Sequence, residues 1–467
     1  MLSDTQPVQK SSANDRPLAR RLSDAIVGMR ADDIPTRARE KLTLCVLDFL
    51  ACGLEAHSLP WAKQAAALAT DGAGVCTIVG TAKKVPASDA TFANSVAGHG
   101  LVREDMHTGS VSHLGVVVLP PLLALAQQRR VDGRSFAAAA VIGYEVGGRI
   151  GRALVTPEFG RTFRPTGFTG PLASAAACSR LLGLDEEATA GALALAANMT
   201  GGLNQWPYTG ADEMFFHVGI AARNGLTAAQ LAAFGARGSE MGLDGESGLL
   251  PVYRPDRRAP DIRLFDGEPE ILSVFFKPVP VCNFAQTPCL AAMSLAKDEH
   301  IEAGAIKSVR VKATGAAKVY PGCDFAGPFA RVLQAKMSIQ YAVASALKRG
   351  VVDEESYRRV DDAALRELAN NIVVEADEGF TAAFPAKQGA EVSVTLKDGR
   401  VLSRRLDDVV PADRNLIRSR FRAAASATIG ADRANALEQA VEGLNDSADV
   451  GALMRLAMAP PKEAAAA

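Results

Sequence analysis

The segment Ala390-Glu-Val-Ser-Val-Thr-Leu-Lys-Asp-Gly-Arg-Val-Leu402 alternates apolar and polar residues on both sides of an Asp-Gly pair. Alternation with a period of two predicts half-buried strands, and Asp-Gly supplies the positive φ angles that a two-residue hairpin loop requires. Residues 306–313 alternate in the same way and predict another strand. We therefore expect a sheet here, with helices at 336–348 and 361–369 covering one of its faces.

Away from this sheet, the chain has the periodicity of helices. Apolar residues, many of them alanine, recur with helical spacing before about residue 250, and the pattern returns over 415–457. Some of these segments are apolar on nearly every side, which is typical of helices at the centre of a bundle or at a subunit interface. The predicted helices before residue 250 span 38–56, 87–98, 135–154, 170–182, 186–198 and 219–233.

A charged, proline-containing stretch from Arg254 to Ile262 separates the two patterns. The predicted fold class is mainly α with an α+β second domain, in which a large all-helical bundle is joined to a smaller α/β domain. The predicted boundaries are 17–268 and 405–460 for the helical domain, 269–404 for the α/β domain, 1–16 for a disordered N-terminus and 461–467 for a tail.

Composition excludes several functional classes. The net charge is −1 and no stripe of Lys and Arg alternates with aromatic residues, so neither nucleic acid nor an anionic membrane is an expected partner. The most apolar run, 116–126, contains Pro120 and Pro121 and is too short to span a bilayer. No secretory signal is apparent, so we expect a cytoplasmic protein. The seven cysteines lack CxxC spacing and are expected to be core residues.

The segment His99-Gly-Leu-Val-Arg-Glu-Asp-Met-His-Thr-Gly-Ser-Val-Ser-His113 is the first candidate for chemistry, because it holds three of the six histidines. Apolar segments flank it, which favours a path through the interior over a solvated loop. The histidines lack HExxH spacing, and although His99, His107, His113 and Asp105 leave a metal site geometrically open, we predict no metal.

Blocks such as Ala93-Asn-Ser-Val-Ala-Gly-His99, His217-Val-Gly-Ile-Ala-Ala-Arg and Lys277-Pro-Val-Pro280 follow one another along most of the chain. Together they resemble the MmgE/PrpD family, which includes 2-methylcitrate dehydratase, cis-aconitate decarboxylase and iminodisuccinate epimerase. The resemblance implies an all-α domain with an inserted α/β lid, a homodimer, and cofactor-independent chemistry on di- and tricarboxylic acids. The implied shared step is proton removal from a carbon α to a carboxylate. The blocks begin at Ala93-Asn-Ser-Val-Ala-Gly-His99, His113-Leu-Gly, Gly143-Tyr-Glu-Val-Gly-Gly-Arg, Leu181-Leu-Gly-Leu-Asp185, His217-Val-Gly-Ile-Ala-Ala-Arg, Lys277-Pro-Val-Pro280 and Val394-Thr-Leu-Lys-Asp-Gly399.

This chemistry needs cationic groups that hold carboxylates and a histidine or carboxylate that moves a proton. His113 is the leading candidate for the acid or base, and the prolines after Lys277 would stiffen the loop that aims its ammonium group. No cofactor is expected. The predicted catalytic residues are His113, Lys277, Asp105 and His107, and the predicted substrate-binding residues are Arg103, Glu104, Arg164, His217, Gln286 and Tyr320.

The chain departs from the family pattern at four positions. An aspartate and a threonine of the decarboxylase and dehydratase are replaced by Val102 and Met106, a histidine by Arg164, and a lysine by Met214. Methionine cannot hold a carboxylate, so we expect Arg164 together with Arg103 to grip the substrate as bidentate forks.

The leading prediction is a lyase, a dehydratase of the 2-methylcitrate type acting on a small di- or tricarboxylic acid. An epimerase of the iminodisuccinate type, or a cis-aconitate decarboxylase-like enzyme, is the alternative. The loss of polar groups at Val102 and Met106 favours the epimerase, since elimination needs a donor for the leaving hydroxide. A non-catalytic polycarboxylate-binding protein and a metal-dependent hydrolase are the remaining hypotheses.

Overall fold

The computed structural model describes residues 16–460, so the predicted N-terminal disorder, apart from Arg16, and the predicted tail lie outside the described residues. The helices of the N-terminal part are α1 (Leu18–Gly28), α2 (Thr36–Ala56), α3 (Pro60–Leu68), α4 (Ala87–His99), α5 (Gly115–Gln128), α6 (Gly133–Leu154), α7 (Pro157–Thr162), α8 (Pro165–Leu182), α9 (Glu186–Ala197), α10 (Trp206–Thr209), α11 (Glu213–Ala233) and α12 (Leu249–Tyr253).

Helix α8 lies at the centre of this bundle, packed along α6 and α11. Small residues permit the close approach, since a Cβ added at Gly225 would lie 2.4 Å from the carbonyl oxygen of Pro171. Local signals fix the helix ends: the Asp132 carboxylate accepts a hydrogen bond of 2.8 Å from the Ser135 amide at the start of α6. Gly183, with a φ of 70°, ends α8 in the left-handed conformation that glycine adopts at low cost.

The second part of the chain contains helices and most of the strand residues. Its helices are α13 (Gln286–Glu299), α14 (Gly315–Val319), α15 (Val332–Met337), α16 (Ile339–Arg349), α17 (Ala363–Asn370) and α18 (Glu378–Ala383), and they are followed by α19 (Arg414–Ile429), α20 (Ala431–Glu442) and α21 (Ala452–Leu456). The strands of the described chain are β1 (Cys76–Thr77), β2 (Lys84–Val85), β3 (Met106–His107), β4 (Val274–Phe275), β5 (Ile306–Ala313), β6 (Ile372–Ala376), β7 (Ala390–Leu396) and β8 (Val401–Leu406).

A four-stranded sheet has the order β6-β5-β7-β8. Strand β5 is parallel to β6 and antiparallel to β7, and β8 pairs antiparallel with β7. Helices α13 and α16 pack together beside this sheet. After β8 the chain returns to the first part, where α19 packs along α2 and Phe421 joins the core that contains Leu50.

A short pairing positions the candidate site. Strands β3 and β4 are antiparallel, with Met106 opposite Phe275 and His107 opposite Val274. The ladder joins the histidine-rich segment to the residues just before Lys277, although they are far apart in the sequence. Lys277 is thereby brought to the segment that ends at His113.

The fold class predicted from the sequence is confirmed: the chain is mainly helical with an α/β part. The domain boundaries remain a prediction, and β8 ends at Leu406, two residues beyond the boundary placed at 404. The helix predicted at 336–348 is divided at Ser338 into α15 and α16. Strand β6 and helix α13 were not predicted. In residues 16–460 no single helix has both the length and the apolar character to cross a bilayer, and only the sharply bent pair α2 and α3 has them jointly.

Candidate active site

A small cavity lies where the helical part meets the α/β part. Side chains from both parts form its wall, and most of them are apolar. The chemistry-bearing members come from the histidine-rich segment, the start of α8 and the loop after β4. The lining residues are Val102, Met106, Val111, His113, Arg164, Met214, Lys277, Cys282, Asn283, Phe284, Tyr320 and Met337.

Two valines shape the backbone at the rim of this cavity. Val102 has a φ of 59° and Val111 a φ of 49°, in the left-handed region that β-branched residues rarely adopt. Such a conformation costs about 1–3 kcal/mol and persists only where the surroundings impose it. The turn at Val102 aims its carbonyl oxygen at Lys277, whose Nζ donates a hydrogen bond of 3.0 Å to it. Backbone strain is thus concentrated where the cavity wall is built.

Glu104 is the centre of the polar side of the site and is 1% exposed. One of its oxygens, Oε1, accepts a very short hydrogen bond from His99 Nδ1 and lies 2.6 Å from His113 Nδ1. The contact to His113 is close but poorly aligned, and the Nδ1 atom of His113 has no well-directed partner within residues 16–460. Because Nδ1 of His113 lies beside the Glu104 carboxylate, Nε2 is the ring atom left to meet a ligand.

The hydrogen-bonded chain continues from His99 to Arg164. Arg164 donates from a terminal nitrogen to His99 Nε2 over 3.2 Å, which fits a neutral His99 that carries its proton on Nδ1. The Arg164 guanidinium also lies over the Trp206 ring, 5.6 Å from its centre, and its Nε is buried without a partner among the described residues. The Arg164 guanidinium therefore lines the cavity while His99 and Trp206 hold it in place, and its Nε can still donate a hydrogen bond to a ligand.

Burial governs the protonation states here. Desolvation lowers the pKa of His99, and desolvation together with the charge of Lys277 lowers the pKa of His113 well below its usual value. For Glu104, burial works in the opposite direction but is outweighed by the two imidazoles, so its pKa falls well below the ordinary range. Desolvation also lowers the pKa of Lys277, against the attraction of Glu104. The resting site holds one carboxylate between two neutral imidazoles.

Comparison with known proteins identifies the family of the chain. The MmgE/PrpD N-terminal domain matches residues 20–260 and the MmgE/PrpD C-terminal domain matches residues 279–446. The chain belongs to the MmgE/PrpD family.

Curated relatives of this MmgE/PrpD protein are enzymes, as the chain itself is. The cis-aconitate decarboxylase-like protein oryM of Aspergillus oryzae is 27% identical, over 93% of this chain and 96% of that protein. Cis-aconitate decarboxylase of Homo sapiens is 28% identical over 82% of each chain. Cis-aconitate decarboxylase of Aspergillus terreus is 24% identical, over 93% of this chain and 94% of that protein.

Within the MmgE/PrpD fold, Asp105 occupies a framework position and not the cavity wall where a catalytic group would stand. Its Oδ1 accepts from the Gly115 amide at 3.0 Å and its Oδ2 accepts from the Tyr144 hydroxyl at 2.6 Å. Both oxygens are thus used to hold the start of α5 against α6. This geometry argues against the predicted catalytic role of Asp105, which stays a prediction, because both oxygens already accept hydrogen bonds in the framework.

The geometry argues against the predicted catalytic role of His107 in the same way, and that role also stays a prediction. Its Nε2 lies 2.6 Å from Glu270, and its Nδ1 accepts from the Ser110 amide at 3.1 Å. Arg103, predicted to bind substrate, makes two hydrogen bonds to Glu55, of 2.6 and 3.3 Å. Neither His107 nor Arg103 lines the cavity. Arg103 and Arg164 therefore do not lie together at one substrate-binding position, as the sequence had predicted.

Three further predicted residues have different positions. Tyr320 lines the cavity, and its hydroxyl accepts from Asn204 at 3.3 Å. Gln286 does not line it, because its amide donates to the carbonyls of Val279 and Val281, both at 2.9 Å, and so braces the loop after Lys277. His217 stands behind Arg164, and its pKa falls to about 4 because of burial and the nearby positive charge.

Several lining residues had no strong sequence signal. Val111, Asn283, Phe284 and Met337 carry no charge, and only the fold brings them together. Cys282, one of the cysteines expected in the core, lines the cavity. Its Sγ lies 3.6 Å from that of Cys323. This thiol contact, outweighing burial and helped by a backbone hydrogen bond and two cations, lowers the pKa of Cys282 to about 7.

Residues 16–460 contain one group that could offer three ligands to a metal, His99, Glu104 and His113, whose ligand atoms lie within 4.8 Å of one another. The surroundings oppose a divalent cation there. Arg164 already donates to His99 Nε2, and the charge of Lys277 acts on His113. An added double positive charge would face two buried cations across a site with one carboxylate. The prediction of no metal therefore stays a prediction, with an electrostatic argument behind it.

Proposed function

We propose that this protein is a carboxy-lyase that removes carbon dioxide from a small unsaturated di- or tricarboxylic acid of the glutaconate type, of which cis-aconitate is the 3-carboxy member. The observation that carries the proposal is the convergence of Lys277, Arg164 and the Glu104-supported His113 on one enclosed cavity. The names of the relatives support the choice of decarboxylation over the dehydration placed first on the sequence.

The step balances without a redox partner. The bond between the allylic carbon and its carboxylate breaks, and the carboxylate leaves as carbon dioxide. The electron pair forms a new terminal double bond, while the original double bond shifts its electrons to the carbon α to the second carboxylate. Lys277 and Arg164 stabilise the resulting enolate charge, and His113 delivers a proton to that carbon. The reverse of the last transfer is the α-proton abstraction implied by the family.

Substrate binding would also raise the pKa of His113, so that this residue can act as the acid. In the empty cavity the Lys277 charge helps to keep His113 neutral. Two bound carboxylates would offset Lys277 and Arg164, so the pKa of His113 is expected to rise in the complex. Glu104 then stabilises the imidazolium in the manner of a triad carboxylate. Titration of ¹³C-labelled histidine by NMR, with and without the unreactive glutarate, measures this rise.

The test is turnover of cis-aconitate and of 3-methylglutaconate, followed by proton NMR in D₂O and by release of carbon dioxide, with and without EDTA. We expect a new terminal alkene, one deuteron at the α-carbon and stoichiometric carbon dioxide, all insensitive to EDTA. An alkene from 2-methylcitrate without carbon dioxide would instead favour a dehydratase, and α-exchange without net reaction an epimerase. Turnover that is lost on chelation would contradict the cofactor-independent mechanism.

The homodimer and the cytoplasmic location expected from the sequence belong to the same proposal. Light scattering coupled to size exclusion tests the first, with a mass twice that of one chain as the expected result. Fractionation of the native host cell tests the second.

A further inference from the structure

A groove outside the cavity continues it toward solvent. It holds about 760 Å³ of empty space between the helical and α/β parts. Val155 and Pro157 line one side, and Val319 and Phe384 line the other. Val319 is 48% exposed.

Groove and cavity are neighbours that share part of one wall. Val111, Phe284 and Tyr320 line both spaces. The rings of Phe284 and Tyr320 are 5.1 Å apart between centres, and Val111 sits beside them in its left-handed conformation. A ligand held in the cavity therefore meets the groove at this apolar partition and at no charged side chain among its lining residues.

The charges in the cavity limit what it can hold. The twelve lining residues include one lysine, Lys277, and one arginine, Arg164, and each can pair with one carboxylate. The remaining wall holds His113, which is assigned to proton transfer, Asn283, whose amide donates to Gln388 at 2.9 Å, and Tyr320 beside the partition. Its other members include Val102, Met106 and Met214, none of which donates a hydrogen bond. A third carboxylate buried against them would lack a partner, and an unpaired buried charge binds far more weakly than an apolar group of the same shape.

We propose, building on the proposed function, that the natural substrate is a dicarboxylate whose third substituent is a hydrocarbon arm, and that this arm lies in the groove. The two carboxylates bind to Lys277 and Arg164 as in the reaction above. The arm replaces the third carboxylate of cis-aconitate, passes the Val111 partition and is covered by Val319 and Phe384.

Unreactive saturated probes separate this proposal from the catalytic one. Tricarballylate, 3-isopropylglutarate and 3-hexylglutarate share the glutarate core and differ only in the third substituent, and their binding to the full chain is measured by calorimetry. We expect 3-isopropylglutarate to bind about a hundredfold more tightly than tricarballylate. The hexyl compound should bind more tightly again, by roughly three- to fourfold for each added methylene that is covered. Equal or tighter binding of tricarballylate, or weaker binding of the hexyl compound, would overturn the proposal.

Variants locate the arm. Val319→Asp should reduce the affinity for the hexyl compound by about tenfold and leave that for the isopropyl compound unchanged. The matched control Val351→Asp alters a valine that is 43% exposed and lies outside the groove lining, and it should change neither affinity. Loss of hexyl affinity in both variants, or in neither, would contradict the groove as the binding site of the arm.

A second pair of variants tests the cavity. Met214→Lys adds a cation to the apolar wall and should raise the affinity for tricarballylate by at least about tenfold, whereas Met214→Leu should not. Because binding is measured, failed turnover with intact probe selectivity would refute the carboxy-lyase and leave the substrate class standing. Turnover of cis-aconitate with reversed selectivity would do the opposite.

Discussion

Two neighbouring carboxylates, Glu104 and Asp105, differ in how completely they are hydrogen-bonded. Glu104 lies between His99 and His113 beside the cavity, and its Oε2 is buried without a hydrogen-bond partner among residues 16–460. Asp105, the next residue, has both oxygens occupied by Gly115 and Tyr144. The Asp105 carboxylate is fully hydrogen-bonded, whereas Glu104 retains unmet hydrogen-bonding capacity that a ligand can complete. The same contrast separates His113 from His107.

The largest expected effect of this difference is on catalysis. Glu104→Gln removes the charge that orients His113 and stabilises its imidazolium, so kcat should fall by about 10²- to 10³-fold while the protein stays folded. Turnover of the best substrate and circular dichroism measure the two parts. The adjacent Asp105→Asn is the control. An equal loss of kcat per folded molecule in that variant would show that Glu104 and Asp105 do not differ in their role in catalysis.

Asp105→Ala should instead act on stability. The substitution leaves the Gly115 amide and the Tyr144 hydroxyl without their buried acceptor, so the free energy of unfolding should fall by about 3 kcal/mol. Urea unfolding checks the value, with Ser88→Ala, which changes a partly buried hydroxyl at the start of α4, as a near-neutral comparison. An unchanged unfolding midpoint would show that Asp105 is not part of the framework.

His217, which is partly buried beside Arg164, gives a test through the pH dependence of the unfolding free energy. Its pKa is about 4 in the fold and about 6.5 in the unfolded chain, so the unfolded state binds more protons between these values. Its contribution is therefore complete above about pH 6.5, is lost as the pH falls toward 4, and amounts to at most about 3 kcal/mol. In His217→Gln the drop in unfolding free energy from pH 7 to pH 5 should be smaller than in the parent. An identical drop in both proteins would show that His217 does not contribute to the pH dependence of stability.

The smallest expected effect is a difference in thiol reactivity. The pKa of Cys282 is lowered to about 7 by the neighbouring Cys323 thiol, whereas burial raises the pKa of Cys178 and of Cys289 to about 12. Iodoacetamide should label Cys282 about tenfold faster than the other cysteines of the native protein, and 3-isopropylglutarate should slow it. Peptide mass spectrometry identifies the site, and uniform labelling would contradict the assignment of Cys282 to the cavity.

The sequence predicted the helical periodicity and the hairpin because both are local properties. The alternation in 306–313 and the Asp-Gly turn act over a few residues, and β5, β7 and β8 follow from them. Strand β6 was missed because five residues between two helices carry too short a pattern. The pairing of β3 with β4, which delivers Lys277, joins distant residues and has no local signal.

The candidate site was predicted by residue type, and type does not reveal direction. His113, Lys277, Arg164 and Tyr320 line the cavity, whereas Asp105, His107, Arg103 and Gln286 do not. Asp105 and His107 have their polar atoms hydrogen-bonded in the framework, while Arg103 Nε and Gln286 Oε1 are buried without a partner among residues 16–460. Both sets have the same chemistry in the sequence. Only the three-dimensional hydrogen bonds decide which groups are already satisfied.

The most direct test of the account compares His113→Gln with His107→Gln in D₂O. Proton NMR measures deuterium delivery to the α-carbon of the product from the best glutaconate-type substrate, per molecule of folded enzyme. We expect deuterium delivery to fall by at least about a hundredfold in the His113 variant and to stay near the parent level in the His107 variant. Retained delivery without His113 would contradict the central claim that the Glu104-supported histidine at the cavity moves the proton.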